Sequence, residues 1–240
     1  VSLGPGVDGV SVGDEVIVYP VTAAYADRVV VPAASLTPKP AGITWPEAGA
    51  LMLAGLTAMH AIAAAGVTAD GTVLIHGGAG GVGLMAVQLA VGAGARVVAT
   101  AAPRNHDLLR SLGAVPVEYG DGLVDRLRAI APEGVNAAID TVGTDEALDV
   151  SLELVADRSR IASITGSGRR FGTGIALIGY GPGQDAGTEF QLSARARLAT
   201  LAGAGDVRVV IGQTFPLARA VAAHQLGQAG GTTGKIVLLP

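Results

Sequence analysis

The run Thr72–His76 (TVLIH), the glycine stretch Gly77–Gly83 (GGAGGVG) and the apolar segment Leu84–Ala90 constrain this chain more than any other feature. Together they read as strand, glycine turn and helix. Gly78, Gly80 and Gly83 meet the G-x-G-x-x-G spacing, in which glycines permit a tight turn, let a pyrophosphate approach the backbone and allow close helix–strand contact. The spacing is weak by itself in a chain with 36 glycines. Its context strengthens it, because an apolar strand precedes the turn and unpaired N–H groups at the start of the following helix can face an anion. A dinucleotide site is the leading reading, and an ordinary tight βα turn is its competitor.

Beyond the turn the chain alternates. Arg96–Thr100 reads as a strand, Asp107–Leu112 as a helix, Ala114–Tyr119 as a strand and Leu123–Ile130 as a helix. Asn136–Asp140 and Arg160–Ile164 are further strands, with Asp145–Val155 as the helix between them. This βαβα rhythm predicts an α/β, Rossmann-type doubly wound parallel sheet. Ligands of such sheets bind beyond the carboxyl ends of the strands. That rule gathers Gly77–Gly83, Thr100–Arg104, Tyr119, Asp140–Gly143 and Ser163–Gly166 around one crevice.

The end of the second strand bears on which dinucleotide. An NAD site usually places Asp or Glu about 20 residues past the glycines, to accept from the ribose hydroxyl. Here Val98–Arg104 (VATAAPR) has no acid, a hydroxyl at Thr100 and a cation at Arg104, which favours NADPH. The competing reading of Arg104 is a solvated arginine at a helix start, and that of Tyr119 a half-buried tyrosine at a strand end.

Composition excludes several other classes. The net charge of −4 leaves no basic footprint for nucleic acid and no cationic amphipathic face for a membrane surface. Two uncharged stretches, 48–69 and 71–95, match a bilayer in length, but glycines and polar residues interrupt the first and the second contains the strand and glycine turn. Strands buried on both faces give the same continuous apolar runs. The lack of cysteine excludes disulfides and suits a cytoplasmic protein. No metal site is expected, since His60, His76, His106 and His224 are scattered without ligand spacing and read as structural. Gly230–Lys235 fails as a P-loop because Ala229 and Ile236 stand where a glycine and a Ser/Thr are required.

The ends of the chain differ in character. Gly4–Gly9, Val12–Val18 and Ala24–Val31 read as short strands joined by glycine turns. Val207–Ile211 and Gly234–Leu239 read as strands flanking a helix over Pro216–Leu226.

The whole chain resembles the medium-chain dehydrogenase/reductase superfamily and, within it, the zinc-free NADPH:quinone oxidoreductase branch. The carriers are Gly4–Val7 with Val12–Val16, Tyr25–Val31, Leu53–Ala58, His76–Gly83, Arg110–Ala114, Asp140–Gly143 and Gly234–Val237. The resemblance implies a partial GroES-like substrate domain over 1–44 and 206–240 and a Rossmann domain over 45–205. It implies hydride transfer from NADPH to a quinone or an α,β-unsaturated carbonyl, with no obligatory side-chain base. It places Ala79, Gly80, Gly81, Val82 and Gly83 on the pyrophosphate, with Gly78 also among the coenzyme-binding residues, and Thr100, Arg104 and Tyr119 around the adenosine phosphate. Val142, Ser163 and Gly166 lie along the nicotinamide half. Thr57 and Lys235 are weaker candidates. Zinc-dependent members carry a cysteine lobe after the Gly-Asp-x-Val motif and a catalytic ligand near Met52–Thr57, and this chain has neither. Relatives have several strands before Gly4–Val7, so an amino-terminally truncated chain is implied. Ile175–Tyr180 is the candidate edge strand for a homodimer. An enoyl-thioester reductase and a non-catalytic NADPH-binding relative or fragment are the alternatives.

Overall fold

The computed structural model describes residues 2–166 and 168–240. A short antiparallel pair comes first, β1 (Val16–Val18) against β2 (Leu36–Pro38). Helix α1 (Trp45–Ala64) follows; Thr44 caps it, its hydroxyl accepting from the Glu47 N–H while the Glu47 carboxylate accepts from the Thr44 N–H at 2.7 Å. This reciprocal capping box satisfies two otherwise orphaned donors and starts the helix sharply. Although α1 is long and apolar enough to cross a bilayer, 61% of its most apolar window is buried inside the fold.

Next comes the parallel unit: β3 (Thr72–His76), α2 (Gly81–Gly92), β4 (Arg96–Thr100), α3 (His106–Ser111), β5 (Val115–Val117), α4 (Leu123–Ile130) and β6 (Ala137–Asp140). It continues with α5 (Asp145–Leu154), β7 (Ile161–Ser163) and β8 (Ala176–Leu177). The sheet order is β5-β4-β3-β6-β7-β8, and every neighbouring pair is parallel. The chain winds outward from β3 on one side, then returns to β6 on the other, so the switch point lies between β3 and β6. That is where a doubly wound sheet opens a crevice for a ligand.

Period-2 alternation divides the core between the two faces of the sheet. Val73, Ile75, Val97, Ala99 and Ile139 point to the face covered by α1 and α2. Leu74, Val98 and Ala138 point to the opposite face, where Leu123 and Leu127 of α4 and Val150 of α5 cover them. All five residues of β3 are buried, which explains its unbroken apolar reading.

The chain ends with α6 (Thr188–Ala204), β9 (Ile211–Pro216), α7 (Ala220–Ala229) and β10 (Lys235–Leu239). β9 and β10 form a separate parallel pair, and β10 packs on α1. Two expectations shift here. The strand read over Val207–Ile211 begins only at Ile211, because pairing with β10 sets it, while Val207 and Val209 are buried in the core outside any strand. The helix read over Pro216–Leu226 runs Ala220–Ala229, because Pro216 ends the strand and a short 3₁₀ turn over Leu217–Arg219 intervenes.

At the amino end, the strands read over Gly4–Gly9 and Ala24–Val31 do not form. Val30 is fully exposed, and no described segment lies alongside 24–31 to take its N–H and C=O groups. A β-branched run without a neighbour to hydrogen-bond has no ladder to join.

Candidate functional site

The glycine turn joins β3 to α2 at the switch point. Gly77 adopts φ +74°, a left-handed conformation that L side chains rarely adopt, so it makes the turn rather than Gly78. The Gly77 and Gly78 N–H groups donate to Thr100 Oγ1 (3.0 Å) and to the Thr100 carbonyl (2.9 Å), which fastens the turn to the end of β4. Gly78 is also the contact point with β4, since an added Cβ would stand 2.8 Å from Ala99 Cβ. Gly83 lets α2 close onto the turn: a Cβ there would stand 2.2 Å from the Gly77 carbonyl oxygen. Gly80 is the N-cap of α2 and no side chain caps the helix. The N–H groups of Gly81, Val82 and Gly83 therefore start a helix with no protein acceptor from a capping residue, in a positive end of the macrodipole.

A cavity of about 390 Å³ opens over this turn. Ala79 and Gly80 form its floor, Thr100, Arg104 and Tyr119 one side, and Thr141 and Val142 the other. Among the residues singled out from sequence, Ala79, Gly80, Thr100, Arg104, Tyr119 and Val142 are thus brought together. Tyr119 and Val142 expose about half their surface, 54% and 49%. Gly78, Gly81, Val82, Gly83, Ser163 and Gly166 do not line the cavity. Ser163 is fully buried and its hydroxyl donates to the Asp140 carboxylate at 2.9 Å. Gly166 faces Gln184, whose amide donates to the Gly166 carbonyl at 2.8 Å. Thr57 donates to the Leu53 carbonyl within α1, at 2.7 Å, as a helix-surface threonine does.

Arg104 is exposed and has no carboxylate partner among the described residues. One Nη2 hydrogen bond to the Gly231 carbonyl (3.1 Å) aims it across the cavity mouth. The adjacent Asn105 accepts from Thr233 Oγ1 at 2.7 Å, so the loop before β10 is tied to the loop after β4. A parallel bridge from Gly80 to Gly234 completes this closure. The Lys235 stem lies against Gly81, and burial lowers the pKa of its ammonium.

Sequence reasoning missed His76, Glu146 and Arg170, and placed Asp140 at the crevice without giving it a role. His76 lines the cavity although only 2% exposed, and its Nε2 has no hydrogen-bond partner. Burial lowers its pKa to about 4, opposed by the charge of Asp140 and reinforced by that of Arg170, so the ring is neutral. Glu146, in the first turn of α5, faces the cavity and accepts from the Gly120 N–H at 2.9 Å. Asp140 and Arg170 form a buried ion pair at 3.0 Å, each 3% exposed at the side chain. Burial raises the Asp140 pKa, but hydrogen bonds from Gly143, Val142 and Ser163 and the Arg170 charge outweigh it and hold the carboxyl below its ordinary value. Only the position of Asp140 at a strand end signalled any of these. No group of three or more His, Cys, Asp or Glu able to hold a metal ion occurs among the described residues.

A second cleft, of about 630 Å³, lies between β1, α1 and β10. Its lining is largely apolar and includes Tyr19, Tyr25, Trp45, Met52 and Leu53, with Lys235 at its border with the glycine turn.

Comparison with known proteins accords with this geometry. The family described as zinc-binding dehydrogenase matches residues 112–238, over half of the chain. A quinone oxidoreductase of Pseudomonas aeruginosa is 34% identical over 233 residues, covering 90% of this chain and 71% of that protein. The Escherichia coli quinone oxidoreductase solved in complex with NADPH superposes with a TM-score of 0.83 at 27% identity, covering 99% of this chain and 78% of the other. A polyketide synthase system protein of Streptomyces orinoci, involved in spectinabilin formation by its name, is 32% identical over 252 residues, but the chain spans only 11% of its length. This chain belongs to the medium-chain dehydrogenase/reductase superfamily, in its quinone oxidoreductase branch.

Proposed function

We propose that this protein is an NADPH-dependent oxidoreductase that delivers hydride to a quinone or an α,β-unsaturated carbonyl without zinc. One observation carries the reading: the uncapped start of α2 opens onto a cavity whose far side presents Arg104 and no acid at the end of β4. The fit to a 2′-phosphorylated dinucleotide rests on charge. An exposed guanidinium with no carboxylate partner suits a phosphate, and an uncapped helix start suits a pyrophosphate.

In this proposal Ala79, Gly81, Val82 and Gly83 hold the pyrophosphate through backbone N–H groups, while Gly80, whose own N–H donates to the Gly77 carbonyl, lets the pyrophosphate approach the backbone because it has no side chain. Thr100 keeps the turn in place, and Arg104 and Tyr119 flank the adenosine phosphate. Val142 packs against the nicotinamide half, while Ser163 and Gly166 support that wall from behind. The coenzyme supplies the hydride chemistry when bound, and the protein orients donor and acceptor. The acceptor enters the apolar cleft lined by Tyr19, Trp45 and Leu53, next to Lys235. A homodimer pairing through the sheet edge at β8 and the segment beyond it, in which Tyr180 is 71% exposed, belongs to the same proposal, as does a cytoplasmic location.

The test is oxidation of NADPH by the purified protein with 1,4-benzoquinone and a 2-alkenal. Turnover with either supports the reading. Stoichiometric NADPH binding with no oxidation across such a panel removes the activity and leaves a coenzyme-binding protein. The synthase match favours a second reading, an enoyl-thioester reductase. Turnover of acyl-thioester enoyl substrates in preference to quinones selects it.

A further inference from the structure

The cavity wall between β6 and α5 is the four-residue loop 141–144, which follows Asp140 at the end of β6 and carries Val142 into the cavity. The Asp140 carboxylate accepts from the Val142 and Gly143 N–H groups at 3.0 and 2.8 Å, which fixes the direction in which Val142 projects. Gly143 has φ +86°, and a Cβ there would stand 2.9 Å from Thr165 Oγ1, so the loop is pressed against the segment after β7.

Arg170 grips both ends of this loop from below. It comes from the short turn Gly168–Arg170 and is 3% exposed. Its Nε donates to Asp140 Oδ2 at 3.0 Å and its Nη2 to the Thr144 carbonyl at 2.6 Å. Thr144 in turn caps α5, its hydroxyl accepting from the Ala147 N–H at 3.2 Å. Arg170 does not line the cavity. Among the described residues no other basic side chain pairs with Asp140.

Buried ion pairs contribute little net stability compared with well-packed apolar residues, because desolvating two charges offsets their attraction. What this one adds is geometry. A guanidinium reaches two acceptors in fixed directions, which an ammonium cannot reproduce. We infer that Arg170 is a positioning residue: by clamping Asp140 and Thr144 it sets the Val142 wall against which the nicotinamide half of the coenzyme is aligned. This rests on the NADPH reading above.

The experiment compares wild type, Arg170→Lys and the double variant Arg170→Leu/Asp140→Asn. The double variant keeps an acceptor for the Val142 and Gly143 N–H groups and removes both buried charges, so it guards against a folding defect in Arg170→Lys. Three quantities are read: thermal midpoint, the Kd values for NADPH and for its nicotinamide-free fragment 2′-phospho-ADP-ribose, and kcat at saturating NADPH. Loss of one charge-assisted hydrogen bond, about 1.5–3 kcal/mol, corresponds to roughly tenfold or more. The expected result is therefore about tenfold weaker NADPH binding and a lowered kcat in folded variants, with fragment affinity unchanged. Equal weakening of NADPH and fragment, or no change in either with wild-type kcat, overturns the positioning role. Failure of the wild type to bind either ligand sinks the coenzyme reading itself, and this inference with it.

Discussion

Gly83→Ala tests the closure of α2 onto the glycine turn. The added Cβ would stand 2.2 Å from the Gly77 oxygen, 2.9 Å from Gly78 Cα and 3.0 Å from the Gly77 carbonyl carbon. All three are backbone atoms, so no side chain can rotate away. Carbon–oxygen contacts rarely close below about 3.3 Å, so the helix and the turn must separate by about 1 Å. That movement stretches two hydrogen bonds that join the turn to the start of α2, Gly80 N–H to the Gly77 carbonyl at 3.0 Å and Leu84 N–H to the Gly80 carbonyl at 2.9 Å. Each lost bond costs about 0.5–1.5 kcal/mol, and forced overpacking about 1–3 kcal/mol. A combined cost of about 3 kcal/mol corresponds to roughly a hundredfold if it falls wholly on the state that binds coenzyme. NADPH fluorescence titration and thermal unfolding measure the two components together. Gly92→Ala is the control, because Gly92 ends the same helix with nothing within 4 Å of an added Cβ. It should stabilise by about 0.5–1 kcal/mol. If Gly83→Ala keeps both its NADPH affinity and its thermal midpoint, helix–turn contact is not what shapes the cradle.

Replacing Arg104 with alanine should lower kcat/KM with NADPH by about tenfold or more and leave the NADH value nearly unchanged, as expected for loss of a phosphate contact; equal losses remove Arg104 from that role. His76 gives a pH dependence of stability. Its pKa falls from 6.5 to about 4 on folding, so the neutral ring is favoured in the native state, beside Asp140 and Arg170. Its contribution is fully present above pH 6.5 and is lost as pH falls from there towards 4. At about 1.4 kcal/mol for each tenfold difference in proton affinity between the folded and unfolded chain, the whole loss is on the order of 3 kcal/mol. Urea unfolding of wild type and His76→Gln across that window should give a steeper decline for the wild type. Parallel curves would show that another group governs the acid limb.

Local chemistry made a large part of this protein legible. The apolar β3, the glycines and the helix behind them announced the turn, and α4 runs over the residues that its periodicity marks, Leu123–Ile130. The absence of an acid after β4 and the presence of Arg104 are also local facts, and the fold brings them to the rim of the cavity. Other features depend on groups far apart in the chain. Asp140 and Arg170 are 30 residues apart, and Arg104 and Gly231 are 127 apart. No periodicity reports such pairs.

What the sequence determined alone is therefore the set of conformations open to each short segment: alternation for strands, 3.6-residue spacing for helices, and positive φ where glycine stands. The tertiary structure decided which of those segments found partners. Ala24–Val31 has the side chains of a strand but no strand partner for its backbone among the described residues, whereas Ile211–Pro216 becomes one because β10 lies alongside. It decided equally that Ser163 points into a buried carboxylate network instead of the cavity, and that Gly77 rather than Gly78 makes the turn. The physical reason is the same in each case. Hydrogen-bond satisfaction and close packing are properties of surfaces that meet only after the chain has folded.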